Sequence, residues 1–146
     1  MRKSYSESSN SMVTLATDLV HNPTEHRHYM KIKPFSGTVK IWQADKLIVE
    51  SNAALLVLEV GKGFYDPIFY VPPGDVLVGL YDVRGKTTHC PLKGDAHYFA
   101  ISGLEIGDNQ YFAWSYEHPF EFASELSGYF AFNPEFVRIE TKGTRA

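Results

Sequence analysis

The sequence predicts a mainly β, single-domain protein of folded antiparallel sheets with one or two short helices. The chain has 146 residues, enough for one domain with its own core. It is 44% hydrophobic and 21% charged, the balance of an ordinary globular protein. Aromatic residues reach 14%, mostly Tyr and Phe, and such rings favour half-buried pleated surfaces. From Gly37 onward, short β-branched and aliphatic runs recur at roughly 8–12-residue spacing, with turn residues between them and no long helical pattern.

Residues 1–36 read as a flexible N-terminal arm or extended lead-in. The first dozen residues are Ser-rich, Met12 to Val20 could form a short helix, and 21–34 is polar. Residues 37–142 form the β-rich domain and 143–146 a tail. Strands are expected at 38–42, 47–49, 55–58, 68–71, 76–81, 96–101, 110–114, 129–132 and 136–139. The turn residues Gln43–Lys46, Gly61–Gly63, Pro72–Asp75 and Gly107–Asn109 separate several of them. Phe120 to Leu126 suits one short helix closed by Gly128.

Net charge is −3, so no basic face is implied and nucleic acid is not an expected partner. Cys90 is the single cysteine, which rules out an intramolecular disulfide and multi-cysteine zinc within one chain. That usage fits a reducing compartment. The N-terminal residues lack the apolar core of a secretory signal, and no run of about 18 apolar residues is present. A cytoplasmic location without a membrane partner is therefore expected.

The densest chemistry lies in Thr88-His89-Cys90-Pro91-Leu92-Lys93-Gly94. Gly85-Lys86-Thr87-Thr88 just before it imitates a phosphate loop, but Leu80 stands where the second glycine belongs and no helix follows. Pro91 holds Cys90 extended and Gly94 frees the chain to turn, so 90–94 should be a tight turn. In such a turn Lys93 can swing back to Cys90, where an ammonium favours a thiolate. Thr88, His89 and Lys93 would also offer donors to an anion such as phosphate or carboxylate. The plainer reading is a small buried thiol with His89 and Thr88 satisfying a strand end.

A second cluster, Trp114-Ser115-Tyr116-Glu117-His118-Pro119, closes a strand with aromatic, hydroxyl, carboxylate and imidazole groups. It could instead cap the core with polar tips in water. His21, His26 and His28 could in principle gather around a metal, but a solvated polar segment accounts for them, and no metal or cofactor is expected. Glu121 and Glu125 read as a wet helix face.

Four stretches carry a family likeness: Tyr70 to Val76, Thr87 to Tyr98, Ala113 to Pro119 and Gly128 to Glu135. Over about Gly37 to Thr141 the chain resembles the domain-of-unknown-function family 427, which also bears a nucleotidyltransferase label. The resemblance implies a β-tent-like fold, shared with methionine sulfoxide reductase B and several zinc-binding domains. With Cys90 alone, their paired-cysteine zinc does not carry over. Pro73-Gly74 stands where the family usually has a charged residue, and no closely spaced acidic pair supports nucleotidyl transfer.

The expected function is binding of a small polar or anionic ligand in a cleft between sheets. Thr88, His89, Cys90 and Lys93 would form one wall, and Trp114, Tyr116 and Tyr98 the other. In an enzyme, Cys90 would be nucleophile or redox thiol and His89 its base, with Lys93 holding the anion. The alternatives are a non-catalytic interaction module contacting a partner or a second copy of the chain, and a thiol redox sensor acting through Cys90.

Overall fold

The computed structural model describes residues 15–143. Eleven strands run in chain order: β1 (Val20–Asn22), β2 (Glu25–Pro34), β3 (Gly37–Gln43), β4 (Lys46–Ser51), β5 (Leu55–Val60), β6 (Ile68–Tyr70), β7 (Leu80–Cys90), β8 (Gly94–Ile101), β9 (Ala113–Ser115), β10 (Phe130–Phe132) and β11 (Arg138–Gly143). Two 3-10 turns, Pro73–Asp75 and Glu121–Leu126, are the helical elements among the described residues. The strands form three antiparallel sheets ordered β1-β2-β5-β6, β10-β9-β8-β7 and β11-β3-β4. The protein is therefore mainly β and a single domain, as its alternating sequence predicts.

Each expected strand overlaps an observed one, but 76–81 does so only at Leu80 and Tyr81 and 110–114 only at Ala113 and Trp114. Before Gly37, where a flexible arm or an extended lead-in is expected, residues 20–22 and 25–34 are extended and pair as strands of the first sheet. The reason is period-2 alternation in β2, which turns Met30 and Ile32 into the core while Lys31 and Lys33 face outward. No helix forms over residues 15–20, and the rest of the expected helix lies outside the described residues. The segment 84–90 also belongs to a strand, because β7 runs unbroken to Cys90.

Two apolar clusters hold the sheets. One gathers Met30, Ile32, Val57, Tyr70, Leu92, Tyr116 and Leu126 between the first and second sheets. The other joins Val39, Ile41, Ile48, Val49, Val71, Ile101 and Phe112, and so includes the third sheet. Burying each such side chain fully is worth about 1.5–3 kcal/mol. The first and second sheets are stitched by the bridge between Val71 and Phe130.

The β7–β8 hairpin carries two irregularities that matter for the site. Asp82 pairs with Phe99 and Thr87 with His97, so Val83–Lys86 bulge outward where β8 supplies Tyr98 alone. At its other end Pro91-Leu92-Lys93 close the turn, with Lys93 N donating to the Cys90 carbonyl at 3.2 Å. Gly94 has φ +115, a conformation that residues with a side chain rarely adopt, and a Cβ there would only touch the backbone of His118 and Pro119 at 3.4 Å.

Gly37 opens β3 with φ +151, and a Cβ there would collide with the Lys142 carbonyl on β11. Gly37→Ala should therefore cost about 1–3 kcal/mol in urea denaturation. Gly143→Ala, whose Cβ would meet only the Ser36 carbonyl at 3.9 Å, should cost clearly less. Equal losses would contradict this packing of β3 against β11.

Candidate functional site

The β7–β8 turn is unusual for a turn, because Leu92 and Lys93 are both buried. Leu92 anchors in the core between the first and second sheets. Phe120 N donates to the Lys93 carbonyl at 3.0 Å, fixing the turn from the other side. The Lys93 stem is thus drawn inward, and its ammonium must find partners there.

It finds three. Lys93 Nζ donates to Glu59 Oε1 of β5 at 2.6 Å and lies 3.6 Å from Cys90 Sγ. It also stands 5.9 Å from the centre of the Tyr116 ring. The other carboxylate oxygen of Glu59 accepts from His28 Nε2 of β2 at 2.8 Å. Asn22 on β1 stands behind the imidazole, its Nδ2 at 3.2 Å from His28 Nδ1. Asn22 Oδ1 already accepts from Thr24 N and Oγ1, so the amide nitrogen faces His28 and donates. That arrangement selects the tautomer with the His28 proton on Nε2. A line of polar side chains therefore runs from β1 through β2 and β5 to the β7–β8 turn.

The electrostatics follow from burial and proximity. Burial works against the Glu59 carboxylate, but the Lys93 ammonium and the Lys93 and His28 hydrogen bonds outweigh it and hold its pKa below the ordinary range. Burial likewise opposes the Lys93 charge, and Tyr70, Cys90 and Glu59 outweigh it and raise the amine. Tyr70 is pushed up to about 12, chiefly by burial. Tyr116 is raised too, again first by burial.

Aromatic rings surround this line. Trp114 Nε1 donates to Tyr70 Oη at 3.0 Å, with the two rings edge to face at 6.3 Å. Tyr116 lies 6.4 Å from Tyr70. Tyr98 meets Tyr111 at 4.6 Å, and Tyr111 meets Trp114 at 6.1 Å. Thr88 Oγ1 and Tyr98 Oη share a hydrogen bond of 2.6 Å.

Of the residues singled out in the sequence, Lys93 meets Cys90 and Tyr116. Cys90, Tyr98, Trp114 and Tyr116 share the core cluster between the first and second sheets, while Thr88 is exposed and bonds to Tyr98 at its edge. His89 lies apart. Consecutive strand residues point to opposite faces, and His89 projects to solvent, where Nδ1 meets Asp95 Oδ1 at 2.8 Å and the ring packs on Phe120. In the second cluster Glu117 and His118 face solvent. His26 stacks on His21 at 4.9 Å, while His28 turns to Glu59. Among the described residues no group of three or more His, Cys, Asp and Glu is placed to hold a metal.

Glu59 and His28 are the members that sequence reasoning missed. A signal for them existed. Glu59 shares a strand face with buried Val57, and His28 shares one with Met30 and Ile32, so each is a polar residue on a core-facing position. A surface pocket of about 570 Å³, lined by Glu25, Arg27, His28, Gly61, Lys62 and Tyr65, gives solvent a route to the His28 end.

Comparison with protein families matches residues 31–143, well over half the chain, to the family described as Domain of unknown function (DUF427). The chain belongs to this family. The match takes in β3 to β11 and the last four residues of β2, and so includes Glu59, Cys90 and Lys93, while His28 and Asn22 lie before it. No curated protein matches the chain. Among the described residues no helix is long and apolar enough to cross a membrane.

Two outcomes test the charged line. Lys93→Met, which leaves Glu59 half-buried without its cation, should cost about 3 kcal/mol, and adding Glu59→Leu should restore most of that loss. The Glu59 contribution is present above its unfolded value near 4.5 and is lost as pH falls through its lower folded value. The Lys93 contribution is present below its unfolded value near 10.5 and is lost as pH rises through its raised folded value. Urea titrations across pH should therefore show an acid limb that flattens in Glu59→Gln; an unchanged limb would contradict the assignment.

Proposed function

We propose that the protein binds a small polar ligand between the first and second sheets, with Cys90 as the group that contacts or attacks it. One observation carries this reading: a buried ammonium stands 3.6 Å from a partly exposed thiol while a carboxylate and an imidazole hold it in place. A buried charge line is poor value as a stabilising device, since apolar side chains of similar size commonly do as well. Such lines concentrate where charge is needed for binding or reaction.

The roles follow from the geometry. Lys93 faces the sulfur and would stabilise negative charge on it or on a ligand oxygen beside it. Glu59 neutralises much of Lys93, so the site suits a polar or singly charged ligand group better than a polyanion. His89, paired with Asp95 on the outer face, would not serve as the base for Cys90. Trp114, Tyr98 and Tyr116 supply aromatic walls, and the Thr88–Tyr98 hydroxyl pair offers hydrogen bonds.

The test is alkylation of Cys90 with iodoacetamide under native conditions, read by mass spectrometry, on protein purified from cells with its bound small molecules retained. Cys90 should react in the folded protein, more slowly in Lys93→Met than in Lys93→Arg, and a retained ligand seen by native mass spectrometry should protect it. A folded wild-type protein whose Cys90 reacts only in denaturant would sink the proposal.

A second reading, contact with another copy of the chain, has its own observation. Phe64 is 90% exposed, and Leu15, Leu19, Leu58 and Tyr65 are exposed beside it around a shared pocket. If that face pairs two copies, sedimentation should show a dimer that Phe64→Ser dissociates; a wild-type monomer at high concentration would remove this reading.

A further inference from the structure

We infer that the ligand site continues along β7 from Cys90 to Lys86, and that its ligand is elongated, with a carboxylate or phosphate oxyanion at the Lys86 end. The inference rests on the proposed site at Cys90 and specifies what that site takes.

The strand itself lays out the path. Thr88 and Cys90 alternate along β7 and so share a face, and Lys86, the last residue of the bulge, reaches the same side over Tyr98. Contacts agree with that spacing. Lys86 Nζ lies 5.0 Å from the centre of the Tyr98 ring and 5.3 Å from that of Tyr111, and Thr88 bonds to the Tyr98 hydroxyl. Cys90 packs on the same cluster as Tyr98 and Trp114. The strip is thus a thiol, a hydroxyl pair, an aromatic wall and an ammonium in sequence. Four residues of strand span about 13 Å, which sets the length of ligand that could touch both ends.

The Lys86 end differs from the Lys93 end in one decisive respect. Lys93 has Glu59 at 2.6 Å, whereas among the described residues Lys86 meets ring faces and pairs with no carboxylate. The outward bulge of Val83–Lys86 opens a pocket of about 500 Å³ against the loop 106–110, lined by Arg84, Lys86, Asn109 and Gln110 together with Asp108. Two cations and two amides against one carboxylate favour an anionic group, and the backbone there is turned by Gly85 at φ +81 and Asn109 at φ +62. Bulges of this kind re-aim side chains beside binding sites.

Two thiol reagents of equal length separate the ideas. Maleimidohexanoate and its methyl ester both add Cys90 sulfur across the maleimide double bond, the thiol proton passing to the neighbouring carbon, and they differ only in the charge of the tail. Labelling of Cys90 by the acid should be about threefold or more faster than by the ester at low salt, with the advantage shrinking as salt is raised. Lys86→Met should bring the ratio to about one with an unchanged urea midpoint; Lys40→Met, on the third sheet, should leave both rates and their ratio as in wild type. Equal rates for acid and ester in the wild type, or a preference that survives Lys86→Met, would overturn the extended site while the Cys90 site stands. Failure of the neutral ester to label folded protein would overturn both.

Discussion

The Lys93 ammonium is the constraint around which the site and its neighbouring elements are arranged. It is carried on a turn whose Leu92 is sunk in the core, so it cannot reach bulk water and must be met inside. Glu59 meets it, His28 holds Glu59, and Asn22 holds His28. Each link belongs to a different element, so a single buried charge ties the β7–β8 turn to three strands of the opposite sheet. Removing any one group would leave another desolvated and unpaired, which is why such a line is rigid even where it adds little net stability.

Strand alternation then sorts the rest of the chemistry. The hairpin β7–β8 sends His89 and Asp95 outward to a solvated pair, and Cys90, Thr88 and Lys86 inward toward the rings of Tyr98 and Trp114. One residue of register would exchange the two sets. The Val83–Lys86 bulge makes that exchange: beyond it Leu80 pairs with Ile101 and joins the other core cluster, while Lys86 comes over Tyr98 and Tyr111 beside the loop that closes the adjoining pocket.

Much of the fold is legible in the chain. Short runs such as Thr38–Trp42, Leu47–Val49 and Ala96–Ile101 carry their own strand signal, and Asn109 occupies the positive-φ position that its turn requires. The Cys90-Pro91 turn is legible for the same reason, since proline and Gly94 restrict the backbone locally. β1 and β2 are harder to read. Their polar residues dominate the eye, and only the faint Met30-Ile32 alternation marks a buried face. The likeness to the family rests on long segments such as Thr87 to Tyr98, and residues 31–143 bear it out.

By itself the sequence determined a β-rich single domain, a rigid turn at Cys90 to Gly94, and the presence there of one thiol and one amine. Those are properties of neighbours along the chain, and local backbone restriction decides them. Only the tertiary structure decided which groups the amine meets. Glu59 lies 34 residues from Lys93, and His28 lies 31 from Glu59. No local rule pairs residues at such separations; the docking of the first sheet on the second does, because it buries Lys93 and leaves a carboxylate as the group able to satisfy it.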